Sequence, residues 1–179
     1  LELLSGGVTA AFDMYFHRDA YVRAVIDSGF RSVLCGALSA GDDWSVARRD
    51  FEKYNSMGPL VGYRLGFHAE YTCSGSLLRE ISAIAHEYKA PVFAHNSESA
   101  SEVAGCIERH GTTPTAYLDS LGLFDYGGGG YHCVWLSEHD MEIFSARGLT
   151  AVTCPASNAK LASGVAPLTE FMRRGIPLA

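Results

Sequence analysis

The chain has 179 residues, 47% of them hydrophobic and 19% charged, which is the make-up of one domain of moderate size with enough apolar material for a core. With 14 Lys and Arg against 20 Asp and Glu the formal charge is −6, so no basic field is available to grip a phosphate backbone, and nucleic acid is not an expected partner. The cysteines, Cys35, Cys73, Cys106, Cys133 and Cys154, are scattered and odd in number, which argues against a disulfide framework or a Cys-x-x-Cys zinc knuckle and fits a reducing cytoplasm.

In chain order, Leu1 to Leu4 read as the last turn of a helix. Strands are predicted at Val8–Asp13, Ser32–Leu38, Val61–Phe67, Pro91–His95, Gly130–Trp135 and Thr150–Cys154, with a seventh beginning at Ile176. Their starts lie 20 to 39 residues apart, the spacing of βα units and too long for hairpins. From Ser76 to Ala85, Leu77, Leu78, Ile81, Ile84 and Ala85 share one helical stripe, as on a helix laid against a sheet. Gly111 to Pro114 divides the longest connection into two helical pieces. The run Gly127 to Gly130 precedes a strand, so it reads as a flexible turn rather than a phosphate cradle. Ser137 with Asp140 opens a further helix as a capping pair, and Gly148 ends it. Ser157 to Lys160 matches a Ser-x-x-Lys pattern, but four letters recur by chance and no Lys-Thr-Gly accompanies them. Neither a secretion signal nor an apolar run long enough to span a membrane is seen, and both ends look cut inside a fold.

Strands alternating with helices imply a parallel sheet with chemistry at the carboxyl ends of its strands. A complete (β/α)8 barrel takes roughly 250 residues, so a barrel here is incomplete. The expected strand ends are polar: Asp13, His68, His95, His132 and the segment from Cys154 to Asn158. His95 closes an apolar run where a core position would favour Val or Ile, and Glu98 follows one turn on. A neutral imidazole is a good zinc ligand, and such a carboxylate could shuttle protons to a substrate nitrogen. Alone, His95 is better read as a strand-end histidine that bonds a backbone carbonyl. With His68 and His132, three parallel strands direct imidazoles into one mouth, which packing does not readily explain because each buried ring needs its own partner. His86, His139 and His110 fall on helices or a helix end and are expected to be solvated; His17 is undecided.

Five segments carry a resemblance: SGGVTAAFDMYFH at Ser5 to His17, HAEYTCS at His68 to Ser74, HNSES at His95 to Ser99, YHCVWLSEHD at Tyr131 to Asp140 and CPASNAKLASGVAP at Cys154 to Pro167. Together they resemble the amidohydrolase superfamily, nearest to its 5-methylthioadenosine/S-adenosylhomocysteine deaminase group, with chlorohydrolase and guanine deaminase relatives. The resemblance implies that residues 1–179 are part of a metal-dependent hydrolase barrel, strands two to seven plus the start of strand eight. It implies hydrolytic deamination of a small aminated heterocycle, first an adenosine derivative. A guanine deaminase or triazine chlorohydrolase-like ring hydrolase is the alternative, and a non-catalytic binding or structural fragment the third reading.

By the same resemblance His95 is a metal ligand and Glu98 the acid/base that also meets the substrate. His132 orients the attacking water, and in some relatives touches the metal; His68 contacts the heterocycle. The loop with Ser157, Asn158 and Lys160 ties down backbone beside the mouth. The cofactor implied is one divalent metal, zinc before iron. The family's His-x-His pair from strand one, its Asp from strand eight and its flanking β-sandwich are not in this sequence, so the chain by itself is expected to hold metal weakly and to be inactive. A homodimer of the full-length protein is in keeping with the relatives. The segment Gly36 to Trp44 is acidic where users of S-adenosylhomocysteine would place arginines, which points to a smaller or uncharged heterocycle. Glu70, where many relatives have Pro, is expected to alter the pocket near His68.

Overall fold

In the computed structural model, which describes residues 1–179, six strands pair in sequence order and all in parallel: β1 Ala10–Asp13, β2 Arg31–Cys35, β3 Val61–Ala69, β4 Val92–Asn96, β5 Gly128–His132 and β6 Thr150–Val152. The expected seventh strand is present as a bridge of Leu178 to Ala151. Helices alternate with them: α1 Glu2–Ser5, α2 Arg18–Ser28, α3 Ser45–Asn55, α4 Gly75–Tyr88, α5 Ala100–His110, α6 Pro114–Ser120, α7 Glu138–Arg147, α8 Pro155–Lys160 and α9 Leu168–Arg173, with a short 3₁₀ turn at Glu70–Thr72. This is an incomplete (β/α) barrel.

The strand period of two divides the apolar residues between two faces. Leu65 and Phe67 of β3 and Val92 and Ala94 of β4 enter the main core with Leu78, Ile81 and Ile84 of α4, Phe144 of α7 and Phe171 of α9. The α4 stripe is buried as its periodicity predicts, although the cap is Ser74, whose hydroxyl accepts from the Leu77 amide, so the helix starts at Gly75. The intervening residues form a second, inner cluster of Cys35, Phe93, Tyr131 and Val152, against which Phe12 packs. The Phe12 and Phe93 rings meet edge to face at 4.7 Å, and Phe12 lies 5.2 Å from Tyr131. His95 follows Phe93 by two residues, so these aromatics make an apolar floor one strand repeat below it.

The glycine run differs from its prediction as a turn. Gly128 to Gly130 lie inside β5, between β4 and β6. A Cβ on Gly128 would stand 1.9 Å from the Val92 carbonyl oxygen, and one on Gly129 2.0 Å from that of Thr150, so the neighbouring strands approach closely only because no side chain is there. Beginning two residues early, the strand also ends early. His132 and Cys133 both have positive φ, 71° and 51°, which breaks the ladder before Trp135.

Candidate active site

His68, His95 and His132 stand at the carboxyl ends of the consecutive strands β3, β4 and β5. The ring centroids of His68 and His95 are 4.9 Å apart and those of His95 and His132 5.2 Å, so the convergence expected from the sequence is present. His68 and His95 reach the inner face by alternation along their strands. His132 follows the inward Tyr131 and would by alternation point the other way, but its left-handed backbone returns the ring toward His95.

Each ring has its Nδ1 opposite an oxygen. His95 Nδ1 is 2.8 Å from the His68 carbonyl, which can only accept, so that nitrogen carries the proton. His132 Nδ1 donates to Asn158 Oδ1 at 2.7 Å. His68 Nδ1 is 3.0 Å from Thr72 Oγ1, whose own proton goes to the Ala69 carbonyl, so the imidazole donates here too. In its neutral form each of the three rings then has a bare Nε2. Burial holds His95 below the ordinary histidine value, although its bond to the His68 carbonyl works the other way. A neutral imidazole with Nδ1 anchored and Nε2 free is the state that ligates a divalent cation.

Glu98 is delivered to the cluster by the backbone. Ser97 takes a positive φ of 53°, and the amides of Ser97 and Glu98 both donate to the carboxylate of Glu102, at 2.8 and 2.7 Å. Glu102 is 8% exposed, and burial raises its pKa. The Glu98 side chain, 20% exposed, accepts from Ser163 Oγ at 3.3 Å and lies 3.6 Å from His132 Nδ1. Neither Glu102 nor Ser163 carries a sign of this role in the sequence. The first resembles an ordinary acid in the first turn of α5, and the second becomes relevant only when the loop after α8 folds back.

Several expectations need correction. Asn158 was expected to tie down backbone, but its side chain holds a histidine ring, while the side chains of Ser157 and Lys160 make no hydrogen bond or ion pair. Asp13 ends β1 as expected yet makes no hydrogen bond or ion pair with the three rings; burial raises its pKa. Glu70 does not enter the pocket beside His68. It is buried against α5, with Arg109 Nη2 at 2.6 Å and His110 Nε2 at 2.9 Å. His110 is exposed as expected, although its ring is also held by Glu70 and stacked on Tyr117 at 3.8 Å. His86 is exposed as expected and also bonds the Ser82 carbonyl and Asp125. His17 is the left-handed residue before α2.

No three His, Cys, Asp or Glu side chains converge on a point that would hold a metal ion. The donors that do converge are nevertheless of the right kind, imidazoles with a free Nε2, and so fit part of a divalent-metal site.

The Amidohydrolase family model matches residues 1–179. The chain belongs to the amidohydrolase family. It is 37% identical over 183 residues to the 5'-deoxyadenosine deaminase of Methanopyrus kandleri, with 98% of this chain and 42% of that protein covered. It is 38% identical over 184 residues to 5-methylthioadenosine/S-adenosylhomocysteine deaminase 2 of Archaeoglobus fulgidus, covering 98% of this chain and 44% of the relative. Its fold superposes with a TM-score of 0.90 on an adenosine deaminase of Xanthomonas campestris solved with bound zinc, at 29% identity, over 99% of this chain and 42% of that one. The chain thus spans less than half the length of these relatives.

Proposed function

We propose that the chain is the central part of an aminohydrolase that hydrolytically deaminates an aminated heterocycle, in the first place an adenosine derivative such as 5-methylthioadenosine or S-adenosylhomocysteine. The observation that carries this reading is the convergence of His68, His95 and His132 with Glu98 at the carboxyl ends of three adjacent strands. Membership of the family and the names of the relatives support it. His95 would be the metal ligand in this chain, with His132 a second candidate, and the zinc of the Xanthomonas enzyme makes zinc the first choice. When bound, such an ion supplies Lewis acidity and brings the pKa of water toward neutrality.

The residues of this chain do the proton handling and the positioning. Glu98 takes a proton from the attacking water and gives it to the ring nitrogen as the water oxygen bonds to the amino-bearing carbon; it then carries the remaining hydroxyl proton to the amino group, and the C–N bond breaks to release ammonia and leave a carbonyl on the ring. Ser163 steadies the carboxylate for this. His132, fixed through Nδ1 by Asn158, presents Nε2 to the water; His68, fixed by Thr72, presents Nε2 to the heterocycle. The floor of Phe12, Phe93 and Tyr131 keeps bulk water from the inner side, which strengthens each polar contact above it.

The test is ammonia release by the longer protein that carries this chain, loaded with zinc, from adenosine derivatives, guanine, cytosine and triazines. Turnover of adenosine derivatives ahead of the others is expected. Release of chloride from a triazine with no ammonia from any nucleoside would sink the reading.

A further inference from the structure

A cavity of about 540 Å3 opens beside His68 and runs toward the loops that follow β1 and β2. Its apolar wall is Phe16, Ala37, Ala40 and Tyr71, and its polar side is His68, Ser39 and Thr72. Phe16 and Tyr71 are 60% and 50% exposed, so they carry apolar surface still free to be covered. The polar groups are already engaged. Thr72 Oγ1 bonds His68 and the Ala69 backbone, while the amide and hydroxyl of Ser39 both donate to Asp42 Oδ2, at 2.7 and 3.1 Å. No Lys or Arg lines the cavity.

Basic side chains line a separate cavity, and most of them are paired. Beyond Phe16, which lines both, a separate cavity of about 610 Å3 holds Arg18 and Arg49, which face Asp50, Lys53, which faces Asp19, and Arg23, which makes no ion pair but does not line the cavity beside His68. Arg48 pairs with Glu87. An amino-acid tail could offer its ammonium to Asp42, yet its carboxylate would enter an apolar recess beside that acid without a partner, and burying an unpaired carboxylate is costly.

His68 borders both this cavity and the histidine cluster, so a nucleoside whose aminated ring met Glu98 would have the cavity open to its sugar and 5′ substituent. We propose that the cavity is a subsite for an uncharged, apolar 5′ substituent, such as hydrogen or methylthio, and that it selects against a charged homocysteine tail. The inference rests on the deaminase reading and narrows it.

The zinc-loaded longer protein would be assayed for ammonia release from 5-methylthioadenosine, 5'-deoxyadenosine and S-adenosylhomocysteine. The expected kcat/KM for either of the first two exceeds that for the third by tenfold or more. Ala40 is exposed at the rim, and Ala40→Arg should raise the relative kcat/KM for S-adenosylhomocysteine at least threefold by giving its carboxylate a partner. Parity or a preference for S-adenosylhomocysteine in the wild type overturns the subsite while leaving the deaminase reading intact, and so does an unchanged ratio in folded Ala40→Arg. Absence of ammonia from all three overturns the deaminase reading, and the subsite with it.

Discussion

Glu98 and Glu102 are two acids one helical turn apart with opposite duties. Glu98 is near His132 and is the acid/base of the proposed reaction, whereas Glu102 spends both oxygens on the amides of Ser97 and Glu98. Glu98→Gln keeps the shape and removes the proton carrier, so activity in the longer protein should fall by about 10²–10⁴-fold with zinc content unchanged. Near-normal turnover by that variant would refute the assignment. Glu102→Gln replaces one acceptor with a donor facing an amide, which should cost about 1–3 kcal/mol in denaturant unfolding and lower kcat through a misplaced Glu98. Its pH dependence has a definite sign. Burial raises the Glu102 pKa above 4.5, so its contribution is full below that value and is lost as pH rises through the folded one. The stability gap between wild type and Glu102→Gln should therefore narrow with rising pH over that window; a gap that widens would contradict it.

At the scale of elements, β5 depends most on what is missing from its residues. Gly129→Ala would drive a Cβ to within 2.0 Å of the Thr150 carbonyl oxygen, in backbone that cannot give way without separating β5 from β6. A loss of about 2–4 kcal/mol is expected, read as a lowered Tm. A variant as stable as wild type would show that the strands are not so close. The same element shows where sequence reading stops. The βα rhythm, the α4 stripe and the Ser137 cap follow from local periodicity and local hydrogen bonding, and they are legible in a single sequence. Three histidines at three strand ends are legible for the same reason. The glycine strand is not, because glycine in isolation signals a turn and only the approach of β4 and β6 makes it a strand. Glu70 and His110 are 40 residues apart, and neither carries a local sign that a hydrogen bond between them will join the 3₁₀ turn to α5.

At the scale of the whole molecule, the sheet has two unfinished margins. β1 pairs only with β2, and the outer side of β6 meets only the bridge at Leu178. Unpaired backbone along a sheet margin is a template for another strand. A polypeptide of these 179 residues alone should therefore self-associate, and size-exclusion chromatography with light scattering should give masses above the 19.3 kDa monomer that rise with concentration. A monomer at every concentration would mean that the margins are protected. The apolar floor belongs to this scale too, since Phe12, Phe93 and Tyr131 come from β1, β4 and β5 and meet only when the sheet curls.

The shared anchoring of three imidazoles through Nδ1 has a spectroscopic consequence. Free histidine in water favours the other tautomer, with hydrogen on Nε2. The rings of His68, His95 and His132 should all appear in long-range nitrogen–proton correlation spectra as the minority form, protonated at Nδ1. That signature would be readable before any substrate or ion is added, and it would report whether the mouth of the barrel is organised in advance or only on loading.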